Sequence, residues 1–497
     1  MNPTSDPRRW WSLAVLLTAA FMVALDMFIV NVSLPSIQRS LATDFGQLQF
    51  IVAGYVLSYA VLLITGGRLG DLFGRKKMFL VGVAGFVLSS AWCGFSGSAS
   101  MLIAARVLQG ISAAALMPQV LSLIQVIFPV EERGKALGLF GAVLGVGGIS
   151  GQIIGGLLLQ ANWWGMEWRL VFLVNLPVGI LSLLFAAGML KESYAPERKR
   201  LDTVGVGFVS VGLALLVYPL VVGLENDWPL WVYASWALSL IVLTLFVRFE
   251  NRLLRRGMAP LMPTTLFETA SFRYGMLIAL VFYSGNAALY FMFSVFLQAG
   301  MGIEPLHTAY MFIPLGVGYF LASLLTPRLQ KRFGLRVLQF GTVGMAVGYT
   351  ALIMVVENAS IEWMHMFVPL LLAGAGQGAV ASPLIHTVLA GVRGPHAGAA
   401  SGVLSTFTQV ASAMGVAGIG TLFQSLLTRY NATQSPKSAY AHTMQWSLAL
   451  VIGLTALTWL LITALMRARN RAAARSGESS PAASSALTEG QVFPAID

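Results

Sequence analysis

Fourteen apolar stretches separated by short charged loops constrain this chain more than any other feature. A membrane-spanning helix takes roughly 20 predominantly apolar residues, because the hydrocarbon core has no water to satisfy exposed backbone groups. The stretches run approximately over 12–34, 49–67, 78–97, 101–127, 136–159, 170–190, 204–223, 229–247, 274–297, 307–326, 337–356, 363–389, 400–427 and 444–466. With 57% hydrophobic and only 10% charged residues, the chain is solvated mainly by lipid.

The loops test that count independently, since short cytoplasmic loops collect Lys and Arg. With the N-terminus inside and strict alternation, 26 of the 31 basic residues fall on the inner side. Arg39, Arg169, Arg429 and Lys437 fall outside, and Arg106 lies within a span. A miscounted span would scramble this bias. The sequence therefore predicts an all-α, multi-pass membrane protein with both termini cytoplasmic. Its net charge of +11 is a topology signal, attractive to anionic lipid headgroups, and not a nucleic-acid footprint.

The first span follows Arg8-Arg9, is too long for a signal-peptide core, and reads as a retained helix. Cys93 is the only cysteine, which excludes internal disulfides and cysteine-based metal sites. No nucleophile–base pair, metal cluster or Walker lysine spacing stands out, so neither enzyme chemistry nor ATP use is expected. Energy is expected from an ion gradient, with no cofactor.

The chain repeats itself. Residues 327–336 laid under 67–76 match Arg-Leu and Phe-Gly in register, an offset of 260. Gly134-Lys135-Ala136-Leu137-Gly138-Leu139 resembles Gly398-Ala399-Ala400-Ser401-Gly402-Val403, and Gln109-Gly110 resembles Gln377-Gly378. Two six-helix halves with two extra spans between them account for an offset larger than half the chain. The expected units are a bundle over 1–190, an inserted pair with its linkers over 191–273, a second bundle over 274–467, and a disordered cytoplasmic tail over 468–497.

Several motifs fall in the order of one family. Gly66-Gly67-Arg68-Leu69-Gly70-Asp71-Leu72-Phe73-Gly74-Arg75-Lys76-Lys77 looks like the loop between the second and third helices of the major facilitator transporters. Leu25-Asp26-Met27-Phe28-Ile29-Val30-Asn31-Val32-Ser33-Leu34-Pro35 resembles the first-helix motif of the fourteen-helix drug:proton antiporters. Arg106-Val107-Leu108-Gln109-Gly110 resembles their fourth-helix arginine motif, and Trp168 to Pro177 their entry to helix six. Phe296-Leu297-Gln298 and Ala400-Ser401-Gly402 fit the second half. The resemblance covers nearly the whole chain. It implies the major facilitator fold and a proton-coupled multidrug antiporter in the bacterial cytoplasmic membrane. The implied cargo is small, amphipathic and cationic, and the transport unit is a monomer.

Asp26 and Arg106 are the candidate proton-coupling residues. Asp26 sits roughly 21 Å into its helix, at about 1.5 Å per residue. A carboxylate that deep must face a wet cavity, carry a proton, or both, and insertion scales put its cost at about 2.5–3.5 kcal/mol. A fixed charge on Arg106 can pair with it and help expel its proton, unless the arginine snorkels to the outer surface. Asn31 lies about 140° around the helix from Asp26 and is expected to bond a neighbouring helix.

Gly67, Asp71, Gly74 and Arg75 are the candidate gating loop, with Asp71 pairing either with Arg75 or with a helix N-terminus of the other half. Lys331 replaces the acid in the second copy, so any latch is one-sided. Gln109, Gln119, Gln152, Asn286, Tyr290, Gln298 and His386 are candidate cavity residues. Gln152 stands where the antiporters carry proline. The alternatives are an exporter dedicated to one metabolite or natural product and, further off, a membrane receptor or lipid-handling enzyme. Short loops and the missing catalytic cluster argue against the last two.

Overall fold

The computed structural model describes residues 8–194, 202–222, 228–256, 264–357, 362–389 and 397–476. Thirteen helices among them are long and apolar enough to cross a membrane, and the shorter apolar helix Val204–Pro219 matches the remaining expected span. The first half contains α1 (Arg9–Leu41), α2 (Phe45–Phe73), α3 (Arg75–Gly94), α4 (Ala99–Ile127) and α5 (Val130–Ala161). Its sixth span comprises α6 (Leu170–Leu173) and α7 (Asn175–Met189), joined through Val174, whose backbone stays helical. The inserted pair is α8 (Thr203–Val222) and α9 (Leu230–Arg255). The second half contains α10 (Ala270–Val295), α11 (Pro305–Phe333), α12 (Arg336–Glu357), α13 (Trp363–Leu389), α14 (Ala397–Asn431) and α15 (Pro436–Ser476). A π-helical turn, Phe296–Gly300, prolongs α10.

The sequence expectation of a disordered tail from 468 needs correction, because α15 continues to Ser476. The run Arg467–Ala474 is almost entirely Arg and Ala, both strong helix formers, so nothing breaks the helix at the membrane edge. Residues 477–497 lie outside the described residues.

The two halves pack by the same rules. In the first, α2 lies against α4, α1 against α5, and α3 against α4 and α7; in the second, α11 lies against α13, α10 against α14, and α12 against α13 and α15. The weak sequence repeat has a physical basis here. A Cβ on Gly110 would overlap the Tyr55 carbonyl of α2, and one on Gly378 would overlap the Tyr319 carbonyl of α11. Each half thus brings two helices into backbone contact through one glycine, as small residues do in lipid. The turn glycines correspond too. Gly74 after Phe73 has φ +106°, and Gly334 after Phe333 has φ +59°, a region that favours glycine.

The halves meet along two seams, α2 against α14 and α5 against α11, which are equivalent under the repeat. Helix α8 also packs on both α2 and α14, with Leu213 against Ala60 and Val410, so the inserted pair straddles one of the two seams. We call the side carrying Arg75, Lys76 and Lys77 the basic face and the other the opposite face.

Candidate functional site

Four helices of the first half converge on Asp26, which is fully buried, as is Arg106. Arg106 Nη1 donates to Asp26 Oδ2 at 2.6 Å and to Gln109 Oε1 at 2.7 Å, and its Nε donates to the Ile51 carbonyl at 3.1 Å. Asp26 Oδ1 accepts from Gln109 Nε2 at 2.9 Å and from Asn175 Nδ2 at 2.8 Å. Ser90 Oγ accepts from the same two amides and donates to the Phe172 carbonyl. Every group on the carboxylate is a donor, the set that suits an ionised, acceptor-only Asp.

The guanidinium lies over the Tyr55 ring, 4.1 Å from its centroid, a cation–π contact that offsets part of the loss of water. Arg106 therefore does not snorkel, and Gln109 belongs to this network rather than to an open cavity. Nothing in the sequence singles out Ser90 or Tyr55. Asn175 lies within the Trp168–Pro177 motif, where a polar amide amid apolar neighbours is the available signal.

On the basic face, Arg75 Nη2 donates to Asp71 Oδ1 at 3.0 Å, so the loop's acid pairs within its own turn. The unforeseen partner is Glu192, which follows the sixth span. Its carboxylate accepts the N–H groups of Lys76 and Lys77 at 2.9 and 3.1 Å, while the Arg75 N–H donates to the Ser193 carbonyl at 3.0 Å. An anion there satisfies orphan donors at the start of α3 and complements the helix dipole. A Cβ on Gly74 would sit 2.6 Å from that carboxyl carbon, whereas one on Gly67 would meet only Pro118 at 3.5 Å.

On the opposite face, polar side chains of the second half reach backbone of the first. Ser294 Oγ donates to the Asn31 carbonyl at 2.6 Å, and Gln298 Nε2 donates to the Val32 carbonyl at 2.8 Å. Gln298 is thus a clasp between α1 and the end of α10. Nearby, Gly156 of α5 lies against Ala309 and Leu306 of α11, and Phe45 of α2 stacks on Phe423 of α14. Eleven residues from Gly156 and on nearly the same face of α5, Gly145 meets only the Tyr319 ring at 3.8 Å.

The remaining candidates scatter. Gln119 donates to the Gly66 carbonyl at 2.7 Å and packs inside the first bundle. Asn286 lines a small cavity with Met345, Val451 and Thr455, inside the second bundle and away from the seam. The His386 side chain lies outside the described residues. Tyr290 is at the seam, edge-on to Phe28 at 5.4 Å and stacked on Phe312 at 5.7 Å. Gln152, on the unbroken α5, is 1% exposed, and neither amide atom has a hydrogen-bond partner among the described residues. An unsatisfied buried amide costs roughly 1–3 kcal/mol.

Residues 16–416 match the family model described as Major Facilitator Superfamily. The chain belongs to that family. It is a multi-pass transporter of small molecules and not an enzyme. The chain is 38% identical over 429 residues to the probable actinorhodin transporter of Streptomyces coelicolor, covering 86% of this chain and 74% of that one. It is 32% identical over 416 residues to the multidrug resistance protein Stp of Mycobacterium tuberculosis, covering 82% and 74%. Among solved structures, a bacterial homologue of the human lysosomal transporter Spinster matches with a TM-score of 0.67 at 18% identity, covering 93% of this chain and 98% of that one. That likeness concerns the major facilitator fold alone.

Proposed function

We propose that this major facilitator protein is a proton-coupled multidrug exporter of small amphipathic compounds in a bacterial cytoplasmic membrane, with the basic face cytoplasmic. The observation carrying the proposal is the 2.6 Å pair of Asp26 and Arg106, sealed inside one half. Protonating Asp26 discharges the pair and leaves an arginine buried without its counter-ion, which is costly enough to drive rearrangement. The clasps on the opposite face hold the outer side shut. A proton arriving from outside and cargo leaving from inside then use opposite states of one molecule. The transport unit is the monomer, the energy source is the proton gradient, and no cofactor takes part. The relatives named for drug resistance and antibiotic transport support export as the direction.

The test is compound-dependent proton movement in proteoliposomes under an imposed pH gradient. Wild-type protein should couple the two fluxes, and Asp26→Asn should move no protons with compound while remaining monodisperse. Undiminished compound-driven antiport in Asp26→Asn would overturn the coupling role. A second reading, an exporter dedicated to one natural product, is favoured by the relative named for a single compound, actinorhodin. A resistance panel in pump-deficient cells separates the two by breadth.

A further inference from the structure

Gln152 is the one candidate at the seam whose polar atoms are unused. One turn before it on α5, a Cβ on Gly148 would lie 3.1 Å from the Phe28 ring. One turn after it, Gly156 lies against α11. Residues four apart share a helix face, so the Gln152 amide points into the wedge between Phe28 of the first half and α11 of the second. Rings line that wedge. Phe28 meets Tyr290 edge-on, and Tyr290 stacks on Phe312 with an interplanar angle of 13°.

The wedge offers no free carboxylate. Among the described residues the buried acids are Asp26 and Glu250. The first is held by Arg106, Gln109 and Asn175, and the second lies on α9, outside both bundles. A permanent cation, the cargo expected from the sequence, would be desolvated there without a counter-charge, which is expensive. An uncharged ring system would not, and its face and edge can take the place of the edge-on contact that Phe28 and Tyr290 now make with each other.

We propose that the wedge binds planar, uncharged aromatic compounds that carry a hydrogen-bond acceptor and donor on one edge, and that Gln152 reads that edge. The amide N–H donates to a ring carbonyl while the amide oxygen accepts from a hydroxyl. Phe28, Tyr290 and Phe312 take the ring faces. Because Phe28 and Tyr290 belong to different halves, the ring enters as their edge contact opens and is enclosed as it closes. The inference rests on the export reading only for naming the compound cargo; binding itself needs no proton coupling.

The test uses full-length protein in detergent and three probes: 1,8-dihydroxyanthraquinone, anthracene as the same shape without polar groups, and ethidium as a planar cation. Dissociation constants are read from quenching of tryptophan fluorescence. Wild-type protein should bind the dihydroxyanthraquinone at least about tenfold more tightly than ethidium. Gln152→Leu should weaken the dihydroxyanthraquinone by at least about tenfold, the worth of one good hydrogen bond of the two it removes, and leave anthracene unchanged. The same variant should unfold at the same or a higher temperature, since it removes an unsatisfied amide. Gln152→Met provides a second apolar replacement should leucine pack badly.

Equal loss for anthracene would reduce Gln152 to a packing role, and ethidium binding as tightly as the quinone would overturn the substrate class. Binding is read at equilibrium without any proton gradient, so a failed coupling reading remains distinguishable from a failed site.

Discussion

The Asn31 carbonyl accepts the Ser294 hydroxyl across the boundary between the halves, at 2.6 Å. Pro35, four residues after Asn31 in the same helix, has no N–H to offer that carbonyl. A group that the helix cannot satisfy is satisfied by the other half of the molecule. In hydrocarbon, where an orphan carbonyl costs several kcal/mol, the proline obliges the halves to meet at this face.

Pro35→Ala returns the missing donor and lets α1 reclaim its own carbonyl. Both Pro35→Ala and Ser294→Ala should therefore open the opposite face. Leu306→Cys, which faces Gly156 there, should react several-fold faster with a membrane-impermeant maleimide in either background. The two changes together should add little to either one, because they remove the same bond. Unchanged labelling in both would separate this clasp from the transport cycle. Buried Cys93 contributes little background.

The Asp26–Arg106 pair should behave as a buried ion pair does. Asp26→Asn strands the arginine and should destabilise the protein by about 3–5 kcal/mol in denaturant unfolding. Adding Arg106→Gln should recover most of that stability, since two neutral partners replace two charges. Proton-coupled transport should not return with it. Recovery of both would mean that the pair only holds the bundle together.

At the loop, Gly74→Ala should impair transport far more than Gly67→Ala. The first forces a side chain into φ +106° and toward the Glu192 carboxylate, at a cost of about 1–3 kcal/mol. The second meets only the Pro118 ring. Glu192→Gln should lower stability by about 0.5–2 kcal/mol, the range for losing a helix cap, and should reduce transport alongside it. Thermal unfolding and efflux rates read the two quantities separately.

The repeat makes a paired prediction. Gly110→Ala and Gly378→Ala each drive a methyl into a tyrosine carbonyl and should each cost about 1–3 kcal/mol. Gly453→Ala on α15 meets nothing within 4 Å and should gain up to about 1 kcal/mol from helix propensity in an unfolding measurement.

The number and order of the spans were legible because they depend on hydropathy, which sums over many residues. Asp26 and Arg106 stood out because charges in spans are rare. Their pairing was one of several possibilities until α1 and α4 were placed side by side. Glu192 could not be read, since it acts on backbone N–H groups more than a hundred positions away and matches no side-chain pattern. Gln298 and Asn286 show the opposite failure. An amide in a span signals that it needs a partner or a cavity, but periodicity does not say which, and these two turned to the clasp and to the second bundle's interior.

Helix α8 rests on α2 of one half and α14 of the other, and among the described residues the inserted pair makes no comparable contact with α5 or α11. Of two edges that the repeat makes equivalent, one is bound like the spine of a book and the other is left free, as its fore-edge. Rocking then has a handed geometry that the twelve-helix core alone would lack. A solute dissolved in the surrounding leaflet meets a strapped margin from one direction and bare helices from the other.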